Sequence, residues 1–135
     1  MKTRWVAILL VLSASILGGC STVYGPEGLS HCTGFGVCSG GYSEEPIDEN
    51  TFNVSFQGNK KTSRETVEKY LVYRCAELTR SLGYQYFVIL NESGETNGKN
   101  YRAHAVIQLY SEPVNFARAY NAREIMANLG PEILR

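Results

Sequence analysis

Four cysteines are the residues of this sequence best suited to covalent chemistry. Cys20 follows Leu17, Gly18 and Gly19, a leucine and two small residues that fit a narrow protease site. A thiol at this position can form a thioether to diacylglycerol and become the new N-terminus. We therefore predict cleavage before Cys20 and lipidation of Cys20. The alternative is an ordinary secreted protein in which this cysteine is free or disulfide-bonded.

The residues before this cysteine have the order of an export signal. Lys2 and Arg4 give a positive start, and residues 5–17 form an apolar run without charge. A basic head, a short apolar run and a small-residue site mark a signal peptide. The run is shorter than the roughly 20 residues of a stable transmembrane helix. Residues 1–19 are therefore predicted to be a cleaved lipoprotein signal peptide.

The residue after the cysteine bears on location. Ser21 stands where an Asp favours retention in the inner membrane of many Gram-negative bacteria. One acyl chain gives marginal, reversible anchoring, whereas the three chains of a processed lipoprotein make attachment effectively permanent. We expect a lipid anchor in the outer membrane that faces the periplasm, if the host is Gram-negative.

Two further cysteines flank a short Gly-rich stretch. Cys32 and Cys38 enclose Thr-Gly-Phe-Gly-Val, and in an oxidising periplasm such a close pair can satisfy disulfide geometry. A disulfide between them is the favoured interpretation, with Cys75 left as a small buried apolar residue on a helix. A bridge from Cys75 to this stretch, or a bridge between two molecules, stays open because one thiol is left over.

Metal and nucleophile chemistry have weak support. His31, Cys32 and Cys38, completed by Cys75 or His104, match no zinc-site spacing, since structural zinc sites usually offer close pairs of ligands. Cys75 with His104 is the only sensible nucleophilic pair, but an apolar helix face disfavours the thiolate of Cys75. We expect no enzyme activity, no metal and no cofactor.

Charge and length further narrow the possible classes of function and fold. Removal of Lys2 and Arg4 with the signal peptide leaves 11 basic against 13 acidic residues, a mature charge of about −2. The sequence has no basic block of the kind that nucleic-acid binding needs, and no polybasic run that would assist binding to a lipid surface. The length fits one small domain. Residues 20–46, rich in Gly, Ser and Pro, are predicted to be a lipidated tether, and residues 47–135 a folded domain.

The domain alternates strands and helices. Phe52, Val54 and Phe56 alternate with polar residues and predict a half-buried strand. Thr62 or Ser63 can cap a helix that Gly83 ends. The apolar stripe of this helix consists of Val67, Leu71, Cys75, Leu78 and Leu82.

Two more strands and a second helix follow. The run from Tyr84 to Leu90 predicts one strand, residues 91–100 a polar loop, and residues 101–109 a second strand. Asn121 caps a helix that Gly130-Pro131 stops. The order β-α-β-β-α predicts a small α+β sandwich, an antiparallel sheet with its helices on one face.

Charged residues and tyrosines have structural interpretations. Glu65 and Lys69 are expected to form a surface pair, and Arg74 with Glu77 to tie the helix to the sheet edge. Tyrosines suit both core rims and binding surfaces, and core packing is the favoured interpretation for those of the domain. A solvated acidic edge is expected for Glu44, Glu45, Asp48 and Glu49.

A series of motifs resembles a known family of uncharacterised proteobacterial lipoproteins. The series is Gly41-Tyr42-Ser43-Glu44, Phe52-x-Val54-x-Phe56-x-Gly58-Asn59, Thr62-Ser63, Tyr70-Leu71-x-x-Arg74-x-Ala76-Glu77-Leu78-Thr79 and Gly83-Tyr84-x-x-Phe87. The resemblance covers about residues 41–90 well and residues 20–40 hardly at all. It implies lipidation at Cys20 and a small α+β domain, and it implies no activity, cofactor or catalytic residue.

The function expected from the sequence is a non-enzymatic one at the cell envelope. A lipid-anchored domain on a tether can dock a protein partner or contribute to an envelope assembly. A periplasmic lipoprotein that binds a small ligand or peptidoglycan is the alternative. Its binding surface would be formed by tyrosines and the free face of the sheet.

Overall fold

The fold is known from a computed structural model, which describes residues 24–27 and 40–134. In these residues five strands form one antiparallel sheet with the order β1-β2-β4-β3-β5, and two helices pack with it. The predicted α+β class is confirmed. The elements are β1 (Gly41–Pro46), β2 (Thr51–Gln57), α1 (Arg64–Ser81), β3 (Tyr86–Asn97), β4 (Asn100–Tyr110), β5 (Tyr120–Asn121) and α2 (Ala122–Ile133).

The core lies between one face of the sheet and α1. Alternate residues of β2 and β4 point into it, and Val54, Phe56 and Ile107 have no exposed surface. This alternation follows from the two-residue period of a strand. α1 contributes Val67 and Cys75, both fully buried, and α2 packs against α1. The other face of the sheet is mostly polar.

α1 begins and ends where the sequence predicts. Ser63 is the N-cap, and its Oγ accepts a hydrogen bond from the Thr66 N–H. Gly83, at φ 87°, follows the C-cap in a conformation that glycine adopts without strain. Leu82 is the exception to the predicted stripe: it is exposed, because it is the C-cap and lies beyond the last turn that faces the sheet.

The predicted loop at residues 91–100 is wrong. β3 continues through a bulge near Leu90 to Asn97, and only Gly98 and Lys99 form the turn. Gly98 has φ 64°, the positive value that a primed hairpin turn requires at its first central position. Polar residues suit these strand ends because both of their faces meet solvent, while pairing with β4 satisfies the backbone.

The second helix is longer than predicted. Asn121 caps it as expected, and its Oδ1 accepts from the N–H groups of Arg123 and Glu124. Gly130-Pro131 does not stop it, because Pro131 lies in the last turn and costs α2 only one backbone donor. Neither α1 nor α2 has the combination of length and apolar character that a membrane-spanning helix needs.

The predicted boundary of the tether at residue 46 is also wrong. Gly41–Pro46 forms the edge strand β1, paired along its length with β2. This strand could not be predicted from the sequence because its side chains are mostly polar. The strand is stabilised by backbone pairing with β2 and by contacts with α1. β5 was missed as well, since a two-residue strand has no periodicity to detect.

Candidate functional site

A short N-terminal segment lies against the outer edge of β1. Residues 24–27, hereafter the docked segment, run parallel to β1 and form a bridge between Pro26 and Tyr42. The Tyr42 N–H donates to the Gly25 carbonyl over 2.8 Å, and the Glu27 N–H donates to the Tyr42 carbonyl over 2.7 Å. Part of the expected tether therefore belongs to the folded domain.

Gly41 makes this close approach possible. Its φ of 118° lies in the region that side-chain-bearing residues rarely adopt. A Cβ atom at this position would lie 2.6 Å from the carbonyl oxygen of Gly25 and 2.7 Å from the backbone nitrogen of Glu27. The first glycine of the family-like motif is therefore required for contact with the docked segment.

The ring of Tyr24 fixes the segment to the domain. It stacks on Phe56 with centroids 6.1 Å apart and meets Tyr70 and Tyr73 edge-on at 5.5 and 5.3 Å. A fourth ring, Tyr42, lies 5.4 Å away. Edge-to-face and offset arrangements of this kind are the favourable ones for aromatic pairs. The segment is thus attached by side-chain burial as well as by backbone hydrogen bonds.

The hydroxyl of Tyr24 is also engaged. It donates a hydrogen bond to the carboxylate of Glu77 on α1. Burial, followed by the interaction with Glu77, raises the pKa of Tyr24 far above its usual value. The phenol therefore stays neutral and remains a donor throughout the physiological pH range.

Arg74 joins the same cluster from the middle of α1. Its guanidinium binds Glu44 of β1 with two hydrogen bonds, of 2.8 and 2.5 Å, and lies 4.0 Å from the centre of the Tyr42 ring. Burial opposes the charge on Arg74, but the hydrogen bonds and charge of Glu44 outweigh it, so the pKa of Arg74 is raised. The arginine also approaches Glu77 at 4.0 Å. The predicted tie between helix and sheet edge is confirmed.

The predicted acidic edge needs one correction. Glu45, Asp48 and Glu49 are exposed as expected, but Glu44 is only 27% exposed and is the main partner of Arg74. Its position in β1 points it toward α1, which a flexible tether would not have done. The expected surface pair of Glu65 and Lys69 is present at 3.4 Å.

The opposite, open face of the sheet carries a row of polar contacts. Arg102 of β4 binds Gln57 and reaches across to Glu27 of the docked segment, at 2.6 Å. Next to this row, the hydroxyls of Ser43 and Ser55 lie 2.7 Å apart. Gly41 pairs with Gln57 but has no side chain, and the side chain of Glu27 reaches Arg102 from this edge of the sheet. The docked segment therefore contributes to both faces of the sheet.

Cys75 and His104, the pair considered for nucleophilic chemistry, are not brought together. Cys75 is buried on the core side, and this burial raises the pKa of its thiol to about 12. His104 lies on the open face, 3.3 Å from Glu95. Within residues 24–27 and 40–134, no group of three or more His, Cys, Asp or Glu side chains is placed to hold a metal ion.

An open hollow surrounds His104. Its volume is about 450 Å³, a size that suits a small ligand, but it is shallow. The lining residues are Asn53, Asn91, Ser93, Gly94, Glu95, His104 and Val106.

Most tyrosines pack against the core, in agreement with the favoured interpretation. Tyr73 is buried in α1, and only Tyr86 and Tyr110 lie on the open face within the described part of the chain. A tyrosine-rich binding surface is therefore not formed on that face. Those that pack against the core are Tyr24, Tyr42, Tyr70, Tyr84, Tyr101 and Tyr120.

Several predicted residues fall outside the described residues. These are the lipidation site Cys20, the possible disulfide of Cys32 and Cys38, and His31. Conversely, Tyr24 was missed by sequence reasoning. The available signal was that Tyr24 is an aromatic residue in a stretch poor in apolar side chains.

The chain matches no protein-family model, no curated protein and no solved structure.

Proposed function

We propose that this chain is a lipid-anchored protein of the cell envelope whose domain has a non-enzymatic, protein-docking role. The proposal rests on the order of features in residues 1–20, which ends in Leu17-Gly18-Gly19-Cys20. It places the anchor in the outer membrane, facing the periplasm. The acyl chains on Cys20 are the attachment, and the α+β domain is what they present.

The docked segment limits the distance between the proposed anchor and the domain. Only three residues separate Cys20 from Tyr24, and Tyr24 packs into the domain. Four Cα–Cα steps of 3.8 Å span at most about 15 Å. A lipid on Cys20 would thus hold the folded domain next to the membrane surface. The connection between lipid and domain would therefore be much shorter than a tether that extends to residue 46.

The use of charged side chains supports docking over catalysis. Arg74, Glu44 and Glu77 are engaged in holding α1, β1 and the docked segment together. Groups that carry out acid-base chemistry must be free to exchange protons with a substrate. A rigid domain of fixed distance from the bilayer is instead suited to positioning a partner protein at the membrane.

Membrane fractionation tests the anchor. We expect wild-type protein in the membrane fraction, labelled by radioactive palmitate, and Cys20→Ala protein without label and accumulated as uncleaved or mislocalised precursor. The matched control is Cys32→Ala, which removes a thiol from the same region and is expected to keep both label and location. Equal labelling of the Cys20→Ala and wild-type proteins would refute the proposed lipidation site.

The binding of a small ligand or peptidoglycan is the second candidate. The open hollow around His104, with the neighbouring Asn53 and Ser93, favours it because these side chains can form hydrogen bonds with a sugar or a peptide. A pull-down on purified peptidoglycan separates the two functions. Retention of the wild-type protein that His104→Ala abolishes would support the ligand-binding candidate over protein docking.

A further inference from the structure

The chain leaves the domain toward Cys20 from a particular end of the sheet. Gly25 and Glu27 flank Tyr42 near the start of β1, and Gly41 pairs with Gln57, the last residue of β2. The docked segment enters parallel to β1, so its first residue is nearest this end. We call it the proximal end of the domain.

Two turns at the proximal end carry lysines. Lys60 and Lys61 lie in the connection from β2 to α1, and Lys99 lies in the turn between β3 and β4. The turns are on the same end because Gln57 pairs with Arg102, two residues after the β3–β4 turn closes. Lys99 is distant in sequence from Lys60 and Lys61 and comes to the same end of the sheet only in the fold, which is why the sequence shows no polybasic run.

In the part of the chain that the structure describes, these lysines have no carboxylate partner. All 13 acidic residues of the chain fall in the described ranges, and none of them forms a salt bridge with Lys60, Lys61 or Lys99. The acidic side chains closest to the proximal end pair with other bases. Those pairs are Glu27 with Arg102, Glu65 with Lys69, Glu68 with Arg64, and Glu95, which lies opposite Arg102 in β3, with His104.

The distal end carries unpaired charges of both signs. Asp48 and Glu49 lie in the turn between β1 and β2, and Glu112 follows the end of β4. Arg80, Arg118 and Arg123 lie at the same end, because α1 ends there and β5 pairs with the first residues of β3. Within residues 24–27 and 40–134 all six are exposed and none forms a salt bridge. The unpaired charges of the two turns at the proximal end, in contrast, are all positive.

We propose that the proximal end, through Lys60, Lys61 and Lys99, lies on the headgroups of anionic phospholipids and sets the orientation of the domain on the membrane. This rests on the proposed lipid anchor at Cys20. A chain of at most about 15 Å holds the proximal end near the surface and lets the lysines approach it to within a Debye length of about 10 Å. This orientation leaves the distal end, with its charges of both signs, directed away from the bilayer.

Amine labelling in vesicles tests the orientation. The native lipoprotein is reconstituted in phosphatidylcholine or phosphatidylglycerol vesicles, and modification of each lysine by a water-soluble succinimidyl ester is followed by mass spectrometry. We expect labelling of Lys60, Lys61 and Lys99 to be about fivefold slower on phosphatidylglycerol, since one lysine near an anionic surface gains about fivefold in affinity. High salt should remove the difference. Lys69 lies near the same end but is already paired with Glu65 and Glu132, so its labelling should change less than that of the three unpaired lysines.

Matched variants show whether the lysines themselves are responsible. Amide hydrogen exchange of residues 58–61 and 97–100 should be slower on phosphatidylglycerol than on phosphatidylcholine for the wild type. A triple Lys→Gln variant at positions 60, 61 and 99 should lose this difference. The control removes the same charge from exposed arginines elsewhere, by Arg→Gln at positions 80, 118 and 123, and should keep it.

The outcomes separate this inference from the proposed function. Protein that floats with both kinds of vesicle, but is labelled equally on both, retains its anchor and refutes the orientation. The orientation is also refuted if both triple variants lose the difference in hydrogen exchange between the two kinds of vesicle equally, because net charge alone would then explain the effect. Protein that floats with neither vesicle overturns the lipid anchor and the orientation together.

Discussion

Tyr24→Ala is expected to lower the free energy of unfolding by about 2–3 kcal/mol, somewhat less than the loss of a fully buried aromatic residue. The ring contacts Phe56, Tyr70 and Tyr73, and its removal leaves these contacts unmade. Denaturant titration measures this loss. Hydrogen exchange should localise this loss. In the Tyr24→Ala variant, the amides of Glu27 and Tyr42 should exchange at least about tenfold faster than the amides of the central strands.

Tyr24→Phe separates the ring from the hydroxyl. It keeps the aromatic packing and removes the hydrogen bond to Glu77, so we expect a loss of about 1 kcal/mol. Tyr110→Ala is a matched control, because this half-buried tyrosine contacts one aromatic ring among the described residues, that of Phe116. If Tyr24→Ala were no more destabilising than Tyr110→Ala, the docked segment would not be part of the folded domain.

Arg74→Ala is expected to cost about 2 kcal/mol, between the values of exposed and of fully buried ion pairs. The side chains of Arg74 and Glu44 are 17% and 27% exposed, so Glu44 would lose its partner while still shielded from water. The guanidinium also covers the ring of Tyr42. Denaturant titration of Arg74→Ala against wild type measures the effect.

Two further arginine variants show what the site requires. Arg74→Lys keeps the charge but cannot form the paired hydrogen bonds to Glu44, and we expect it to recover less than half of the loss. Arg80→Ala, at an exposed position of the same helix, should change stability by less than about 0.5 kcal/mol. Full recovery by lysine would mean that charge alone matters at this position.

The fold was predictable where one face of an element is apolar. The stripe of α1 and the alternation in β2 and β4 specified their buried faces correctly, because burial imposes a period on the sequence. β1 and the far half of β3 carry polar side chains on both faces, so they have no such period. Their strand conformation is set by backbone pairing with a neighbour, which no local pattern reveals.

The candidate site was predictable only in part. Arg74 and Glu77 were expected to tie α1 to the sheet edge, but their partners Glu44 and Tyr24 come from a stretch that resembles a flexible linker. Contacts of this kind join residues 30 and 53 positions apart. Glycine content predicts flexibility, whereas Gly41 serves here to admit a neighbouring backbone.

The short connection between lipid and domain is the central claim, and neutron reflectometry of the native lipoprotein in a supported bilayer measures it directly. We expect protein density to begin at the headgroups, with no hydrated layer thicker than the about 15 Å that four Cα–Cα steps allow. A free linker over residues 20–46 would instead have an end-to-end distance on the order of 30 Å. A hydrated gap of that size between bilayer and domain would contradict the account.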